Sequence, residues 1–150
     1  MKAYFAIGLG LALLLAPLWS LSGFVTVPEY RTGTIADYSS ALIAGATLYG
    51  GVLAGILISR RFKLRPNKPG PFRATFIAGM AGAMGAITLA LLAAFLSELI
   101  STGRLMPAGQ TPALLPLFYV VGGIFSAFMA AGAGLIAYGV SGAAKGEEPE

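Results

Sequence analysis

Residues 74–96 read ATFIAGMAGAMGAITLALLAAFL, a run without a single charge. A bilayer core about 30 Å thick is crossed by about 20 mostly apolar helical residues, so this stretch can span it once. Its flanks are abruptly polar. Before it stands SRRFKLRPNKPGPFR, residues 59–73, and after it comes Glu98. Gly79, Gly82 and Gly85 lie inside the run. In a soluble helix each would cost roughly 1 kcal/mol relative to Ala. Transmembrane helices carry more Gly than soluble ones, so the pattern suits lipid.

Three further runs have the same character: 3–21, 40–58 and 114–139, none with a charge inside those limits. The chain is 57% hydrophobic and 11% charged, with a mean hydropathy of +0.80. Soluble domains are about a quarter charged, and so few charges could not cover a water-facing surface. The expectation is an all-α integral membrane protein: one domain over 1–150, a bundle of four transmembrane helices, with a short disordered tail at 143–150. The first run invites a rival reading as a signal peptide ending near Pro17. One lysine in its n-region and no clear A-x-A site favour a retained helix.

Lys and Arg fix the expected orientation. Arg60, Arg61, Lys63, Arg65, Lys68 and Arg73 all lie between the second and third runs, whereas the other two loops hold Arg31 and Arg104. By the positive-inside rule the basic loop stays in the cytoplasm, and with four spans so do both ends. Trp19, Phe24 and Tyr30 then mark the outer interface, and Tyr4, Phe62, Phe72 and Tyr138 the inner one. Pro66, Pro69, Gly70 and Pro71 read as a stiff, extended turn. A bacterial inner membrane is the expected location.

Absent residues exclude much chemistry. Without Cys or His there is no thiol nucleophile, zinc–thiolate site or imidazole base. Three of the six carboxylates crowd into the last four residues, which leaves no acidic cluster for a hard cation. The chain is read as no enzyme, with no cofactor and no nucleic-acid partner.

Packing signals are small residues at intervals of four, which share one helix face. Span two offers Thr47, Gly51, Gly55 and Ser59, with Ala46, Gly50 and Ala54 beside them. Span three carries Ala78, Gly82 and Ala86; span four carries Gly122, Ser126, Ala130 and Gly134; span one has Gly8, Ala12 and Ala16. A shift of 72 residues pairs Ala41, Leu42, Gly50 and Gly51 with Ala113, Leu114, Gly122 and Gly123. A shift of 71 pairs Lys2, Ala3, Phe5 and Gly8 with Arg73, Ala74, Phe76 and Gly79, which suggests a tandem repeat of a helical hairpin.

Glu98 is the one acid attached to a span. Counting from Ala74 places it about 36 Å along the helix, past the hydrocarbon, as an interfacial carboxylate. As a proton or cation relay it would have to sit deeper. The hydroxyls of Thr47, Thr88 and Ser126 could line a polar path or bond to their own helix. The basic loop could contact anionic lipid or a partner. The outer loop holds Glu29, Arg31 and Asp37 with Tyr30 and Tyr38, and reads as a solvated connection. Together these features point to a small non-enzymatic membrane subunit or scaffold, associating with lipids and with another membrane protein or itself. The alternative is a small homo-oligomeric transporter or channel.

The orientation is testable with single cysteines in intact cells and an impermeant thiol reagent. Asn67→Cys and Gly146→Cys should stay unlabelled, and Thr34→Cys should react. Labelling of Asn67→Cys from outside would reverse the assignment.

Overall fold

Each apolar run becomes one helix, longer than the run itself. The computed structural model describes residues 2–26, 35–61, 70–103 and 114–145. They form four helices: α1 (Lys2–Thr26), α2 (Ile35–Arg61), α3 (Pro71–Thr102) and α4 (Leu114–Lys145). Hydropathy marks the part of a helix suited to lipid, whereas capping chemistry marks its ends, so the helices overrun 3–21, 40–58, 74–96 and 114–139. At α3 both caps are visible. Gly70 and Pro71 are the N-cap and first residue of α3, where the missing proline N–H costs no helical bond. The Ala74 N–H donates to the Gly70 carbonyl at 3.1 Å. At the other end Gly103 takes the left-handed conformation, φ 70°, and its N–H donates to the Leu99 carbonyl.

Helix also replaces part of the expected tail: α4 runs through residues 143–145. Residues 146–150 lie outside the described set, as do Phe62, Lys63, Arg65, Pro66, Asn67, Lys68, Pro69, Arg104, Glu29, Tyr30 and Arg31. The side chains of Trp19, Phe24, Asp37 and Tyr38 lie outside it as well.

Among the described residues three stretches are long and apolar enough to cross a membrane, Ile43–Arg61, Pro71–Thr102 and Tyr119–Ala144. In α1 the described apolar stretch, Lys2–Pro17, is shorter than that requirement. The described residues thus show α2, α3 and α4 as spans, and the α1 helix itself runs on from Pro17 to Thr26.

The spatial order is α1–α4–α3–α2. α4 lies between α1 and α3, and α2 packs on α3, touching α4 less and α1 only at the margin. A duplicated hairpin would repeat its internal contact, yet α3 and α4 pack closely while α1 and α2 barely meet. The tandem repeat read from the sequence finds no support in this arrangement.

Interior and surface are inverted relative to a soluble protein. α3 buries Gly79, Ala83 and Ile87 and exposes Leu89, Leu92, Leu96 and Ile100. Only 11% of its most apolar window is buried at a mean hydropathy of 2.0. Soluble monomers rarely expose apolar patches of such extent, and lipid is the solvent that accepts them. Between α2, α3 and α4 a small core forms from Val52, Ala83 and Met129, flanked by Leu48, Tyr49 and Ile56.

A side-chain hydrogen bond ties α1 to α2. Pro17 interrupts the hydrogen-bond ladder of α1, and in the turn before it the Leu14 carbonyl accepts a bond from the Tyr49 hydroxyl at 2.6 Å. Interhelical hydrogen bonds in membranes contribute on the order of 1 kcal/mol. Tyr49→Phe should lower the melting temperature in detergent while leaving helix content by circular dichroism unchanged. A melting curve identical to wild type would mean this bond does not hold α1.

Candidate functional site: the small-residue helix crossings

Without a hydrophobic drive between helices in lipid, contact depends on how closely backbones approach. At the α2–α3 crossing they touch. A Cβ added at Gly51 would lie 2.7 Å from the Ala86 Cβ and 2.9 Å from the Gly82 carbonyl oxygen. One added at Gly55 would strike the Ala78 carbonyl and come within 2.8 Å of the Gly82 Cα. One added at Gly82 would strike the Gly51 carbonyl and lie 2.6 Å from the Gly55 Cα. These partners are backbone or the methyl of an alanine, which cannot swing aside. Glycine is required there for space, not for dihedral freedom.

Of the candidate packing residues, Gly51, Gly55 and Gly82 meet at one crossing. Thr47, one turn along the same row, is only half-buried, and its hydroxyl donates to the Ile43 carbonyl at 2.7 Å. Gly122, Ser126, Ala130 and Gly134 form the α4 face towards α3. A Cβ on Gly122 would meet the tip of Ile87, and one on Gly134 would lie 2.9 Å from the Phe72 ring. Ala130 is fully buried and sits 3.1 Å from the Cβ that Gly79 would carry. Ser126 is also fully buried, and its hydroxyl donates to the Gly122 carbonyl at 2.6 Å.

The α1–α4 crossing uses residues that the intervals of four did not single out. A Cβ on Gly10 would lie 2.7 Å from the Gly132 carbonyl oxygen, and one on Gly132 would lie 2.5 Å from the Gly10 carbonyl oxygen. Gly139 faces Ile7 and the Ala3 carbonyl. Gly8, in the expected row, faces open space. Ala6 and Gly10 also stand four apart, and Gly132 and Gly139 seven apart. That heptad spacing was the available signal.

Polar groups divide between the two ends. Lys2, Arg60, Arg61 and Arg73 are exposed, and the contacts Gly139–Ala3, Gly134–Phe72 and Gly55–Ala78 bring their helix ends to the same side. Exposed Tyr4 and Tyr138 and the partly exposed Phe72 lie towards that end too. Lys63, Arg65 and Lys68 lie outside the described residues. Glu98 occupies the opposite end, half-buried in the last turns of α3. The Thr102 hydroxyl lies 3.1 Å from its carboxyl Oε1 and 2.9 Å from its backbone carbonyl. The Thr88 hydroxyl bonds the Met84 carbonyl and reaches the Tyr119 hydroxyl at 3.0 Å. Among the described residues no cluster of Asp, Glu, His or Cys could hold a metal ion. No buried side-chain polar atom there lacks a partner.

No protein-family model, curated protein or solved structure matches this chain.

The geometry separates two adjacent glycines. In an open helical position Gly→Ala should gain roughly 1 kcal/mol of helix propensity. Against fixed backbone, overpacking costs about 1–3 kcal/mol. Gly50→Ala, whose added Cβ meets nothing within 4 Å, should therefore melt at or above wild type in detergent, and Gly55→Ala below it. Gly51→Leu and Gly55→Leu should fall further, while Leu57→Ile, exposed on another face, should change little. Equal curves for Gly50→Ala and Gly55→Ala would remove the crossing.

Proposed function

We propose that this chain is a small, non-enzymatic integral membrane subunit or scaffold, crossing a bacterial inner membrane four times with both ends in the cytoplasm. Three of the crossings are α2, α3 and α4. The fourth is α1, which runs antiparallel to α4 from Ala3 beside Gly139 to Gly10 beside Gly132, so a membrane-spanning α4 carries α1 with it. The placing of Lys2, Arg60, Arg61 and Arg73 at one end of the helices supports the orientation. There each Lys or Arg adds about 1 kcal/mol of attraction to an anionic headgroup surface.

The observation that carries the scaffold reading is the outer side of the α2–α3 pair. Ala46, Gly50 and Ala54 are exposed in one row, with Gly85 on α3 beside them. A Cβ at Gly50 or Gly85 would meet nothing within 4 Å. A second small-residue face pointing at lipid suits the close approach of a helix from another membrane protein or another copy. The hydroxyls of Thr47, Thr88 and Ser126 bond carbonyls of their own helices, which favours packing over a polar conduction path.

Purification in mild detergent tests this reading. A stoichiometric foreign membrane protein should co-purify, and Gly50→Leu with Gly85→Leu should release it while the fold survives. Recovery of a lone homodimer, with proton flux in reconstituted vesicles that Glu98→Gln abolishes, would replace the subunit by a homo-oligomeric transporter.

A further inference from the structure

The small-residue crossings lie in the half of the molecule nearer the basic end. In the other half a cavity of about 570 Å³ opens between all four helices. Its walls come from Pro17 of α1, Leu48 of α2, Leu91 and Phe95 of α3, and Phe125 and Met129 of α4. The volume falls in the range of small-molecule sites, roughly 300–1,000 Å³.

We propose that this cavity is a binding site for a single hydrocarbon chain of a membrane lipid, acyl or isoprenoid. Among its described lining residues none is charged, and the hydroxyl-bearing ones are Thr47 and Tyr49. Both are already engaged, with the carbonyls of Ile43 and Leu14. A polar ligand would find no free donor there, so desolvating it would go uncompensated. A hydrocarbon chain needs no polar partner on entering. The cavity also lies at the right depth: α2, α3 and α4 line it with Ile43–Tyr49, Ile87–Phe95 and Val121–Met129, all within their membrane-spanning stretches. Ile43, Ala90, Ala94 and Val121 of its lining are exposed, so the space opens to the surface of the molecule, where a lipid chain can enter it. Ala90 and Ala94 on α3 and Gly45 on α2 keep room where larger residues would close the space. The inference depends on the membrane setting alone, not on the subunit reading.

The test uses the full chain reconstituted in phosphatidylcholine vesicles containing a phospholipid with a diazirine on one acyl chain. After photolysis, mass spectrometry locates the adducts. Phe95 and Phe125 should be labelled well above the outward-facing Leu89 and Leu92. Ala90→Phe and Ala94→Phe should lower labelling of Phe125 about tenfold, equivalent to about 1.4 kcal/mol of binding, and leave Leu89 and Leu92 unaffected. Leu92→Phe should leave Phe125 labelling unchanged. Melting curves of the filled variants at or above wild type show that they still fold. A polyprenol separates the sources: if added to the vesicles it lowers labelling of Phe95 and Phe125 but not of Leu89 and Leu92, the site prefers an isoprenoid chain, and if it lowers none of them the site holds an acyl chain. Wild-type labelling spread evenly over lining and outward residues, or insensitive to filling, would overturn the site.

Discussion

Backbone meets backbone where α2 crosses α3. Gly51 and Gly55 lie against Gly82 so closely that no side chain fits between, and the same need for close backbone approach governs the α1–α4 crossing. Within lipid, burying a leucine gains little, because the tails are as apolar as the protein. Attraction between helices comes instead from dispersion over many short contacts, which needs close approach. A glycine pair supplies it on α2 and α3; Gly10 and Gly132 supply it on α1 and α4. Both of these crossings lie in the half nearer the basic end, and the four-helix cavity opens in the other half.

The same constraint explains why the protein looks inverted. Ala83, Ser126, Met129 and Ala130 are fully or almost fully enclosed, whereas Leu89, Leu92, Ile100 and Val120 point outward. Small side chains go where helices meet, and large ones go where lipid must be wetted. Hydroxyls obey a related rule. With no water to satisfy them, Thr47, Thr88 and Ser126 each bond the carbonyl four residues back. Tyr49 is long enough to bond another helix.

The membrane class and the number of helices were legible in residues such as 74–96, because both depend on local composition over about 20 positions. Helix ends were less so. Arg60, Arg61 and the first turn of α3 lie beyond the apolar runs, yet backbone hydrogen bonding and the Gly70–Pro71 start keep them helical. The basic end could be counted from Lys and Arg alone, since charge near a span acts through its position along the chain.

Sequence alone could not choose between adjacent rows of small residues. Gly50 and Gly51 both stand in convincing rows at intervals of four; on α1 Gly8 heads such a row with Ala12 and Ala16, whereas Gly10 is followed at that interval by Leu14 and Leu18. Neighbouring positions on a helix differ by about 100° of rotation, so each row of a pair faces a different way. On α2 the two rows, Ala46, Gly50, Ala54 and Thr47, Gly51, Gly55, are nearly alike in composition. Only the tertiary structure turns Gly51 and Gly10 inward and leaves Gly50 and Gly8 open. The reason is that a crossing is a property of two helices at once: Gly51 is an interface residue because Gly82 stands opposite it, and Gly10 because Gly132 does.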